Sequence, residues 1–145
     1  MFDIKLLNLE KAILNSGVSL YIARDYKNAR KIILVQENEY LITYTSHTLT
    51  SLLNKANMLF GAGKTEDYEI DIGYVADDNA LDIFIKDGFL LLTKYKQEFM
   101  LDLNVFDEND ESTLFKSFTG SSICEVLNKA CESLNEITHN PILTD

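Results

Sequence analysis

The chain has no tryptophan, one proline, two cysteines and two histidines among its 145 residues. Each scarcity excludes something. The one proline, Pro141, lies in the C-terminal tail, so no expected helix or strand has its backbone ladder interrupted. Cys124 and Cys131 fall on one expected helix, where two turns set their Cα atoms about 10 Å apart, beyond the reach of a disulfide. They read as small apolar residues of a reducing compartment. His47 and His139 have no Cys-x-x-Cys, His-x-x-x-His or glutamate partner at ligand spacing, which argues against a metal centre. No apolar run approaches the roughly 20 residues that a membrane-spanning helix needs. The start, Met1-Phe2-Asp3-Ile4-Lys5, lacks the basic region and apolar core of a signal peptide, and the expected location is cytoplasmic, without a membrane partner.

Basic residues are also few. Thirteen Lys and Arg against 23 Asp and Glu give a net charge of −10, which repels nucleic-acid backbones and favours basic or polar protein partners. The acidic clusters Glu66-Asp67, Asp77-Asp78 and Asp107-Glu108-Asn109-Asp110-Glu111 fall in expected loops, which favours solvation over a site. The last of them is no calcium loop, because Ser112 stands where glycine is required and Phe118 where glutamate is required. Gly61-Ala62-Gly63-Lys64-Thr65 ends like a phosphate-binding loop, but Met58 replaces the first glycine and a helix precedes it, so the glycines read as a helix C-cap and loop. Ser16-Gly17 and Ser46-His47 lack a nucleophile elbow. No enzyme, cofactor or metal is expected.

What is present is ordinary core material: 46% hydrophobic and 25% charged residues, in a chain of a size that buries roughly 70% of its unfolded surface as one domain, residues 1–145. Leu6, Leu9 and Ile13, with Leu7 and Leu14 beside them, predict a helix over 3–15 that Gly17 ends. Strands are expected over 18–24, 31–36 and 40–45, joined by short turns as an antiparallel meander. After a helix over 48–60, alternation predicts strands over 68–74, 80–86, 89–95 and 99–105, with Asp87-Gly88 as a tight hairpin. Ser122 and Glu125 form a capping-box pattern for a last helix carrying Ile123, Val126, Leu127, Ala130, Leu134 and Ile137. The fold class is α+β, an antiparallel sheet covered by helices in the order α-β-β-β-α-β-β-β(-β)-α.

In the helix over 48–60, Leu49, Leu52, Leu53, Ala56, Leu59 and Phe60 make one continuous stripe that needs a partner surface. Ala56-Asn57-Met58-Leu59-Phe60, preceded by Leu52-Leu53 and followed by a glycine-containing loop and strands, resembles the central part of class I type III secretion chaperones. The likeness in residues spans about 49–86, and the order of elements, the length and the acidity agree with that family. The resemblance implies a homodimer that holds the N-terminal segment of a secreted effector in extended form without ATP. It assigns the dimer interface to Leu49, Leu52, Leu53, Ala56, Leu59 and Phe60. It assigns effector-binding patches to Leu6, Leu9, Ile13, Leu20, Ile22, Ile32, Leu34 and Ile42. A different reading of the charge and of seven tyrosines is an immunity or antitoxin protein that blocks a basic toxin through its acidic loops. The two separate by substitution: Leu53→Glu is expected to break the chaperone dimer, and charge reversal of Asp107, Glu108, Asp110 and Glu111 is expected to spare its partner binding.

Overall fold

The computed structural model describes residues 2–62 and 79–139. Helix α1 (Leu7–Ser16) leads into strands β1 (Val18–Arg24), β2 (Arg30–Gln36) and β3 (Glu39–Ser46). Helices α2 (Leu49–Ala62) and α3 (Asn79–Phe84) precede β4 (Gly88–Tyr95), β5 (Glu98–Phe106) and β6 (Ser112–Gly120), and α4 (Ile123–His139) follows. The strands form one antiparallel six-stranded sheet in the order β3-β2-β1-β4-β5-β6. Two meanders are therefore joined in the middle, where Leu20 pairs with Leu92 and Ile22 with Leu90.

Period-2 alternation decides the layering. Leu20 and Ile22 of β1, Ile32 and Leu34 of β2, Leu90 and Leu92 of β4, and Leu101 and Leu103 of β5 pair across the sheet on one face. That face meets Leu9 and Ile13 of α1, Leu49, Leu52, Leu53 and Ala56 of α2, Leu81 of α3, and Ile123, Val126, Leu127 and Ala130 of α4 in one hydrophobic cluster. At about 1.5–3 kcal/mol for each large apolar side chain fully buried, this layer dominates the stability of the fold.

Helix ends are capped from other elements. The Glu10 carboxylate of α1 accepts from the Ile123 amide at the start of α4 at 2.8 Å, which places a negative charge on a helix N-terminus. Asn57 Oδ1 of α2 accepts from the Leu9 amide at 2.9 Å. Gly17 ends α1 with φ of 68°, a left-handed conformation that glycine adopts without a Cβ penalty. Within α4, Ser122 Oγ accepts from the Glu125 amide at 3.1 Å, and the Glu125 carboxylate reaches back one residue further than expected, to the Ser121 amide. That bond above all holds the exposed Glu125 carboxyl below the usual carboxylate range.

Three expectations are corrected. The first helix begins at Leu7, not at residue 3, because Asn128 of α4 engages both the amide and the carbonyl of Phe2 at 2.7 and 3.0 Å, and Cys124 Sγ donates to the Ile4 carbonyl at 2.9 Å. Phe2 and Leu6 are buried as a result, and Leu7, expected beside the apolar face, is 60% exposed. The expected strand over 80–86 is helix α3. Its apparent alternation conceals an i, i+4 pair: Leu81 and Ile85 are buried, and Ile83 between them is 62% exposed. Gly88 consequently opens β4 instead of turning a hairpin, and glycine is required because a Cβ there would strike the Asn104 carbonyl of β5. Strand β6 has no continuous alternation in its sequence because its pairing shifts between Leu103 and Asn104, leaving Phe115 unpaired. The expected strand over 68–74 and the helix end at Asn140-Pro141 lie outside the described residues.

Glu10→Ala and Asn57→Ala are each expected to cost about 1 kcal/mol, read as a lower urea midpoint at unchanged slope. Because the folded Glu125 carboxyl is depressed, its stabilisation is present above its unfolded pKa and lost as pH falls through the folded one. Glu125→Gln should therefore flatten the acid limb of the stability profile.

Candidate functional site

The residues assigned to interfaces by resemblance are mostly interior. Leu49, Leu52, Leu53 and Ala56 are buried, and Phe60 packs at the margin of the same cluster, with Leu59 half-buried. The partner of the α2 stripe is the chain's own sheet and α1. Likewise Leu6, Leu9, Ile13, Leu20, Ile22, Ile32 and Leu34 are core residues, and Ile42 is partly buried against them, so none of these side chains forms a surface patch in the folded chain. The periodicity that made these stripes visible is the signature of burial. It does not say whether the covering surface belongs to the same molecule.

The opposite sheet face is a different matter, since no described helix packs on it. Cross-strand register lines up Ile33, Tyr21 and Leu91 across β2, β1 and β4, with Val35 beside Ser19 in the next row. All four apolar side chains, Ile33, Tyr21, Leu91 and Val35, are half-buried. Tyr21 stacks on Phe89 with ring centroids 4.6 Å apart, and Phe89 meets Phe106 at 5.3 Å, which makes a short aromatic ladder along the sheet. Burial raises the Tyr21 hydroxyl above its usual pKa, so it is neutral at physiological pH. Polar residues share this face: Ser19, Lys31, Thr43, Thr93 and Asn104 by register, and Asp102, which accepts from Ser117 Oγ at 2.5 Å.

The patch continues to the β6 edge. Leu114 shares the aromatic face at 55% exposure, and Phe115, turned by the bulge, meets Phe84 of α3 at a centroid distance of 6.0 Å on the helix side. The β5–β6 turn beside it is built by Asp107, whose Oδ1 accepts from the amides of Asn109 and Glu111 at 2.8 and 2.9 Å. Asp110 sits there at φ of 60°, a conformation that Asp and Asn tolerate. Glu108, Asp110 and Glu111 remain exposed around this turn. The acidic cluster is thus partly turn chemistry and partly an exposed rim.

Below α3, Arg30 forks onto the Asp82 carboxylate with its Nε at 2.6 Å, and an Arg24 Nη donates to the Asp82 carbonyl at 2.9 Å. This pairing pins α3 to the β1–β2 hairpin. Cys124 and Cys131 are not joined by a disulfide, as their spacing required, and burial above all pushes the Cys124 thiol up, which keeps it protonated. His47 is exposed, and among the described residues no helix is long and apolar enough to cross a membrane. Comparison with protein-family models, curated proteins and solved structures finds no match to this chain.

The sequence named the interior and missed this surface. The signal was faint: in the alternate set of the central strands, Tyr21, Ile33, Val35, Phe89 and Leu91 are apolar, but they are interleaved with Ser19, Lys31 and Thr93 of the same strands and adjoin Asp102 and Asn104 of β5.

The position of Leu53 alters what its substitution tests. Leu53→Glu buries an unpaired charge in the core, and its expected outcome is loss of the folded chain in thermal and urea unfolding, not a folded monomer. A folded Leu53→Glu monomer would contradict this packing.

Proposed function

We propose that this chain is a non-catalytic, cytoplasmic protein-binding module that acts in the manner of a secretion chaperone, holding the N-terminal segment of a secreted protein in extended form. The observation that carries this reading is the sheet face bearing Tyr21, Ile33, Phe89, Leu91 and Phe106, which is apolar, ladder-like and uncovered by the described helices. A half-buried apolar row that runs into the exposed Phe106 and Leu114 is the kind of surface on which an extended partner finds apolar contact. Aromatic side chains supply large contact area with few torsions to freeze. An overall charge of −10 keeps such a carrier from aggregating through the same face. Since α2 is spent on the core, the homodimer that the resemblance implies would also rest on this face.

The exposed Glu108, Asp110 and Glu111 favour a second reading, an immunity protein that blocks a basic toxin. Salt separates the two. Raising ionic strength from 0.1 to 1 M shrinks the screening length from about 10 to 3 Å, which weakens acidic recognition steeply and leaves apolar capture largely intact.

Co-expression with an N-terminal fragment of a candidate secreted protein is expected to give a complex in which limited proteolysis spares the fragment. The double variant Ile33→Lys, Leu91→Lys should stay folded and lose that protection. A fragment digested equally fast with and without the chain would overturn the reading.

A further inference from the structure

We propose that the first half of β6, residues 112–115, is a docking strand for an extended polypeptide segment that alternates apolar and polar residues and ends in basic ones. The proposal rests on the protein-binding reading above and names where and how the partner enters.

Strand β6 is the last strand of the sheet, so one row of its amides and carbonyls faces outward. Every side chain from Ser112 to Ser117 is exposed. Edge strands are ordinarily blunted by charges or proline, but residues 112–115 are Ser, Thr, Leu and Phe. The bulge opposite Leu103 and Asn104 and the exposed Lys116 just past it are guards, and they limit regular pairing to the stretch before them.

Apolar side chains flank that stretch on both sides of the sheet. Phe106 and Leu114, 42% and 55% exposed, lie on the uncovered face. Phe115, 47% exposed, lies on the helix side with Phe84 of α3 against it. A strand added here would place successive side chains alternately beside Phe106 and Leu114 on one face and beside Phe115 and Phe84 on the other, the geometry that an extended apolar and polar repeat satisfies.

Charge selects the occupant. Glu108, Asp110 and Glu111 crowd the start of the strand without a basic residue in their turn. A second copy of this acidic chain, added antiparallel over the same four residues, would bring to that turn its own Lys116, which already donates to Ser133 Oγ at 3.0 Å, and with it a net charge of −10. A basic segment fits better. Antiparallel pairing, the slightly more stable kind, sets the partner's C-terminal end beside the acidic turn, so the basic residues belong there.

The probe is a fluorescein-labelled peptide in which valine and phenylalanine alternate with threonine and two lysines close the C-terminus. Saturable binding by fluorescence anisotropy is expected. Affinity should fall on the order of tenfold in Leu114→Ser, Phe115→Ser. It should fall severalfold both in Glu108→Gln, Asp110→Asn, Glu111→Gln and for the peptide with its lysines moved to the N-terminus. Tyr40→Ser, on the opposite edge, should bind as the parent does. Circular dichroism establishes that each variant is folded, and amide exchange should show new protection confined to β6. Absence of saturable binding, equal binding to the β6 variants, or light scattering that shows a second copy occupying β6 would each overturn the proposal. A secreted fragment still protected by the β6 variants would remove the docking strand and leave the binding module standing. A fragment protected by no form of the chain would remove the module itself.

Discussion

A single apolar layer governs this molecule. One face of the sheet carries the inward set of Leu20, Ile22, Ile32, Leu34, Leu90, Leu92, Leu101 and Leu103, and the four described helices spend their apolar stripes against it. Among the described residues no second layer is present, so the side chains behind the sheet are consumed by folding and those in front of it are covered only by one another. The allocation explains why α2, the most conspicuous amphipathic segment of the sequence, has no stripe left for another molecule. It also explains why the half-buried Tyr21, Phe89 and Leu91 are the side chains with contacts still to make.

Much of this was legible in the residues, and the misses have specific causes. Strands β1 to β5 announce themselves through β-branched and aromatic alternation, and α4 through its stripe and Ser122 cap. Residues 80–86 deceived because a six-residue helix is too short for its period to outvote an accidental alternation of Leu81, Ile83 and Ile85. Strand β6 was silent because a bulge resets its phase at Phe115. Residues 2–6 lie outside α1 for a reason no local pattern holds: their backbone partners, Cys124 and Asn128, stand at the other end of the chain.

The candidate surface was less legible than the fold. Periodicity reports that a face is buried, and the interface residues inferred for a second copy and an effector were for that reason the core residues. The exposed counterpart is visible only after register is known, when Ile33, Tyr21 and Leu91 fall into one row and Phe89 bridges Tyr21 to Phe106.

The cap that Glu10 places on α4 joins residues 113 positions apart. Its consequence concerns cooperativity. The start of α4 is completed by a carboxylate of α1, and Phe2 is held by Asn128 of α4. Residues 2–6 and α4 therefore reach their final arrangement together, and loosening either one frees the other. The two meanders of the sheet are latched to each other by this one pairing of early and late segments as well as by the β1–β4 ladder.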